Sequence, residues 1–137
     1  MVKAYARTIN LVDGCNISEL KQHLREVWPE VLVAWRDIGI LKAKQFVAGN
    51  TMMIQYFECD DNFDPTSFDS WITTDERCLE WSQMMQKYEQ PCEAANQAEG
   101  EWWKDMEEML CFETQFETQF CEAAHENTTS YSNSYMY

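Results

Sequence analysis

Positive charge is scarce in this chain. Ten lysines and arginines stand against 24 aspartates and glutamates across 137 residues, giving a formal net charge of −14 and an isoelectric point near 4.3. Such a surface repels phosphate backbones and anionic membranes, so nucleic acid and membrane are excluded as expected partners. Long apolar runs are also missing. No stretch approaches the roughly 20 residues that span a bilayer, and Met1-Val2-Lys3-Ala4-Tyr5 is too polar to read as a secretory signal, so the expectation is a cytoplasmic protein. Histidine is limited to two residues, and the six cysteines (Cys15, Cys59, Cys78, Cys92, Cys111, Cys121) contain no Cys-x-x-Cys pair, so the thiols read as reduced and structural, with no metal and no cofactor expected.

Proline is rare, and one of the three falls in an unusual place. From Ile17 the apolar residues recur at 20, 24, 27, 28, 31, 32, 35 and 38, a spacing that predicts one helix over 17–38, bent at Pro29. A proline inside a helix removes a donor and crowds the preceding turn at about 3 kcal/mol. Trp28-Pro29-Glu30 is therefore a mark of a particular fold.

The rest of the chain supplies the other elements. Residues 3–11 alternate as a first strand, followed by turn chemistry at 12–16. Gly39 sits where a helix ends, and 41–48 with 51–59 read as a β-hairpin around Gly49-Asn50. Pro65 opens a short helix carrying Phe68, Trp71 and Ile72, and Thr73 with Glu76 resembles a capping box for a helix to about Lys87. Residues 89–100 read as a polar loop and 106–112 as the last strand. The order is β-α-β-β-α-β, a ferredoxin-like α+β fold whose open sheet face is most simply covered by a second copy, giving a dimer, or by the tail, giving a closed cleft. Residues 1–112 are read as this domain. Residues 113–137 are read as an acidic, polar tail in which Phe112-Glu113-Thr114-Gln115 recurs as Phe116-Glu117-Thr118-Gln119, with 126–137 disordered.

Val27-Trp28-Pro29-Glu30, Gln55-Tyr56-Phe57-Glu58, Gly100-Glu101-Trp102-Trp103 and Met106-Glu107-Glu108-Met109 together resemble the L-rhamnose mutarotase family over residues 3–112. The resemblance implies a dimeric α/β barrel of the ferredoxin-like class and a cofactor-free isomerase that interconverts sugar anomers. Opening a pyranose ring needs an acid at the ring oxygen and a base at the anomeric hydroxyl, work suited to a histidine with tyrosine neighbours. Counted from Trp28, the resemblance puts the histidine position at Leu24 and the tyrosine position one turn earlier at Leu20. The second-strand tyrosine position falls on Ala43, and of the tandem tryptophans Trp81 remains, followed by Ser82.

His23 lies one residue from the histidine position and is the candidate catalytic group, although one residue turns a helix by about 100°. Expected cleft-lining residues are Leu20, Leu24, Ala43, Tyr56, Trp81, Trp102 and Trp103. Two functions of different class follow. One is mutarotase-type isomerisation of a small molecule, in a homodimer. The other is a diverged member, its acid-base set lost, that binds, cyclises or isomerises an apolar small molecule in a leucine-lined cleft, or binds it without catalysis.

Overall fold

The computed structural model describes residues 2–121. β1 (Lys3–Leu11) is the spine of an antiparallel sheet, with β3 (Met52–Cys59) along one side and two short strands, β4 (Glu89–Gln90) and β5 (Lys104–Met106), sharing the other. β2 (Ile40–Ala48) pairs with β3 and forms the far edge, giving the order β2-β3-β1-β4. This is the ferredoxin-like arrangement expected from the sequence. The hairpin turn falls at Gly49, whose φ of 58° suits a residue without a Cβ.

The predicted single helix over 17–38 is two. α1 (Ile17–Arg25) begins at Asn16, whose side-chain oxygen accepts the Glu19 N–H at 3.1 Å. α2 (Pro29–Asp37) begins at the proline itself. Trp28 is extended, with φ −63° and ψ 142°, as a residue before proline prefers. Pro29 then occupies the first helical position, where its missing N–H has no intrahelical acceptor to lose, and the helix-interior penalty never arises. Gly39 ends the segment with φ 106°, and a Cβ there would stand 2.7 Å from Asp60 Oδ1.

After β3, Asp64 caps a 3-10 segment, Pro65–Thr73, and α3 spans Glu76–Gln86. The cap of α3 is Asp75, which accepts the Arg77 N–H at 2.7 Å, rather than Thr73; the Thr74 hydroxyl instead donates to the Trp71 carbonyl at 2.7 Å. The predicted polar loop from Glu89 contributes β4, and the predicted last strand over 106–112 lies earlier, its ladder ending at Ala6 opposite Met106.

Strand alternation sorts the side chains. Ile9, Leu11, Met53 and Phe57 turn toward the helices and join Leu20 and Val31 in the core. Burying each such side chain stabilises the fold by about 1.5–3 kcal/mol. Cys15, Cys59, Cys78 and Cys92 are buried free thiols, and burial pushes Cys59 up to about 11.

Contacts divide the chain into two units, Met1–Met106 and Glu107–Tyr137. In the second, α4 (Phe112–Phe116) runs into a π-helical turn, Glu117–Cys121. The repeat places Phe112, Phe116 and Phe120 four residues apart, so their rings follow one another at 5.7 and 5.1 Å. The expected disorder over 126–137 falls outside the described residues. Among the described residues no helix is long and apolar enough to cross a membrane.

Candidate active site

The helix-facing side of the sheet carries one row of polar residues where an apolar layer is the norm. Gln45 of β2 pairs across to Gln55 of β3, Gln55 to Arg7 of β1, and Arg7 to Asp105 of β5. All four line a cleft of about 650 Å³. The strand period explains the shared face: Arg7 sits between Tyr5 and Ile9 on the inward face, and Gln55 between Met53 and Phe57. In the sequence this was the available signal, a polar residue at the inward position of three neighbouring strands.

Arg7 is held from four directions. Its Nε donates to Gln55 Oε1 at 2.7 Å, and Nη1 donates to Asp69 Oδ1 at 3.3 Å. The guanidinium carbon lies 3.9 Å from the Phe68 ring centre and 4.3 Å from that of Trp103. Burial pulls its pKa down while Asp69 opposes that, and an arginine so placed stays cationic.

Glu89 faces the same space. It stands opposite Leu11 on β4, is only 9% exposed, and lines the cleft. Burial pushes its pKa up to about 7, with the Arg7 charge pulling the other way. A carboxyl so placed exchanges a proton near neutral pH, which a solvated glutamate does not do.

Aromatic walls complete the cleft. Trp35 and Trp71 meet edge to face with centres 5.6 Å apart, and Trp81 packs on Trp28 at 5.3 Å. Trp35 Nε1, Trp71 Nε1 and Gln45 Oε1 are buried cleft atoms that no group among the described residues satisfies: two donors and an acceptor. Unmatched buried polar atoms cost about 1–3 kcal/mol each.

A second cavity, of about 720 Å³, opens between α1, α2 and the edge strand β2. Leu24, Trp35 and Gln45 line both cavities.

The seven expected cleft residues are thus distributed. Trp81, Trp102 and Trp103 line the polar cleft, Leu20 and Ala43 line the second cavity, and Leu24 lines both. Tyr56 lines neither: it pairs with Ala6 and Lys44 on the opposite face of the sheet, where its hydroxyl donates to Glu58 Oε2 at 3.2 Å. It alternates with the inward-facing Gln55 and Phe57, so strand geometry turns it away. His23 also lines neither cavity. Its ring lies 5.8 Å from that of Tyr88, whose hydroxyl donates to Glu19 and is pushed up to about 12 mainly by that bond.

Three likenesses bear on this geometry. The fold superposes on the crystal structure of an L-rhamnose mutarotase from Formosa agariphila with a TM-score of 0.60, covering 80% of this chain and 98% of that one at 16% identity. A Dictyostelium discoideum protein described only as a UPF0734 protein is 34% identical over 108 residues, 77% of this chain and 86% of that protein. The sequence also matches L-rhamnose mutarotase over residues 4–112, the stretch that builds the sheet, the helices and the cleft, and on that match the chain belongs to the L-rhamnose mutarotase family.

Proposed function

We propose that the chain is a cofactor-free isomerase that interconverts the anomers of a small sugar in the polar cleft, with Glu89 as its acid and base. The observation that carries this is the placement of Glu89, a buried carboxyl titrating at about 7 beside Arg7, in a cleft lined by tryptophan, amide and carboxyl residues. In its neutral form the carboxyl holds a donor on one oxygen and an acceptor on the other. The hydroxyl oxygen gives its proton to the ring oxygen while the carbonyl oxygen takes the proton of the anomeric hydroxyl. The bond from the anomeric carbon to the ring oxygen breaks, leaving an open-chain aldehyde and a carboxyl still neutral. Rotation of the aldehyde and the reverse transfer close the ring as the other anomer.

The tryptophan faces give the ring a flat apolar wall, and Arg7, fixed by Gln55 and Asp69, holds the electrostatics of the cleft constant. Saturation-transfer NMR on L-rhamnose and L-fucose tests the proposal. Exchange well above the buffer rate, lost in Glu89→Gln, is expected; exchange at the buffer rate for both sugars removes it.

A diverged member that holds an apolar small molecule is the alternative, favoured by Leu20, Leu24 and Ala43 lining the second cavity. A homodimer is supported by the outward sheet face, where Phe46 and Met106 are 55% and 43% exposed. Sedimentation equilibrium at a mass near that of one chain would remove it.

A further inference from the structure

We propose that the second cavity is a binding site for an amphipathic anion, an aliphatic carboxylate, whose chain lies on the leucines of α1 and α2 and whose charged head meets the basic rim. This rests on the alternative reading of an apolar ligand and names the ligand's charge.

Charge distribution is the first ground. Lys21, Arg25 and Arg36 line this cavity from the two helices of a chain whose net charge is −14, while Lys42 and Lys44 border it from the edge strand, whose alternation turns their side chains to the other face with Tyr56. Among the described residues no aspartate or glutamate lines it. A cationic rim over low-dielectric walls focuses a positive potential that an otherwise acidic surface lacks. Lys21 and Arg25 lie four residues apart on one side of α1, and Arg36 sits in the last turn of α2, where the helix dipole favours a cation. Arg36 reaches Asp37 at 3.8 Å, but both are exposed and such a pair holds little.

Apolar surface is the second. Leu32, Leu41 and Val47 line the cavity and are 51%, 54% and 38% exposed, while Leu20 and Met53 close its base. Aliphatic side chains left to water in one place mark a binding surface. At about 720 Å³ the cavity has the size of a small-molecule site rather than of a protein interface. The lining is aliphatic where the neighbouring cleft is lined by tryptophan, carboxylate and amide, so a sugar finds few partners here and an alkyl chain finds many.

Binding of dodecanoate, dodecanol and dodecyltrimethylammonium to the full chain, by calorimetry and methyl NMR below their aggregation concentrations, is the test. Dodecanoate is expected to bind one to one, at least tenfold tighter than dodecanol, with shifts at Leu20, Leu32, Val47 and Met53. The double variant Lys21→Gln/Arg25→Gln, both at exposed positions, is expected to weaken dodecanoate about tenfold and leave dodecanol unchanged. Equal affinity for dodecanoate and dodecanol overturns the anion site while leaving the apolar-ligand reading in place. Binding of neither overturns both. Preference for the cation, or dodecanoate shifts confined to the tryptophan-lined cleft, also overturns it.

Discussion

The two cavities of the first unit share Leu24, Trp35 and Gln45 and are close in volume, yet their chemistry is opposite. One is lined by tryptophans, Arg7, Gln55 and the carboxyl groups of Asp69, Glu89 and Asp105. The other is lined mostly by aliphatic residues, with Lys21, Arg25 and Arg36 on its helix side and no carboxylate among the described residues. The difference follows from which part of the sheet each uses. The polar cleft lies where β1 and β3 are covered by the 3-10 segment and α3, so Arg7 and Glu89 are desolvated and Glu89 titrates far from its ordinary range. The groove lies at the edge strand β2, where Lys42 and Lys44 remain in water and keep ordinary charge-charge strength. Chemistry belongs in the first setting and recognition in the second.

Glu89→Gln separates them most strongly. It keeps the size of the side chain and removes the proton, so anomer exchange is expected to fall by about 100-fold or more, while dodecanoate affinity stays within twofold. Loss of both in one variant would show the cavities to be a single site.

The pH dependence comes next. Because burial raises the folded pKa of Glu89 from 4.5 to about 7, the folded state holds the proton more tightly than the unfolded one. The associated stability is present below about pH 4.5 and is lost as pH rises through 7, by about 3 kcal/mol. Urea denaturation at pH 5 and pH 8 should show that loss in the wild type and little of it in Glu89→Gln. Anomer exchange should fall over the same upper range, since the neutral carboxyl is the active form, and an activity that instead rises through pH 7 would refute that assignment.

Arg7→Gln tests the electrostatics of the cleft alone. Removing the charge takes away the pull that opposes burial, so the pH midpoint for exchange should move above 7. Loss of the contacts to Asp69, Phe68 and Trp103 should reduce stability by about 2 kcal/mol, read by thermal melting. Leu24→Ala, in the common wall, is expected to weaken dodecanoate binding and raise the KM for sugar by several-fold each, the one change that reaches both cavities. Smallest of all, His23→Ala should leave exchange within twofold, because the ring faces Tyr88 and lines neither cavity. A large loss there would return catalysis to α1.

Much of the fold was legible in the residues. Strand alternation in 3–11, the Gly49-Asn50 turn and the apolar spacing from Ile17 to Ile38 fix the order of elements, because each is a local preference repeated along the chain. Pro29 was legible as a marker but not as a helix start, since the same spacing fits one bent helix or two helices that share a face. The site was less visible. Trp81, Trp102 and Trp103 were within reach, whereas Glu89 looked like the start of a polar loop, and only its pairing with Leu11 carries it inside.

The sequence by itself determined the elements, the acidic surface and the family of this protein, all of which rest on neighbours in the chain or on its summed composition. Only the tertiary structure decided that Arg7, Gln45, Gln55 and Asp105 form one row, that Glu89 is buried beside them, and that Lys21, Arg25 and Arg36 gather around one apolar groove. Those facts depend on strand register and helix packing, which join distant residues, as Arg7 is joined to Asp105 across 98 positions. A carboxyl's pKa and a cavity's charge are set by whatever lies across that gap.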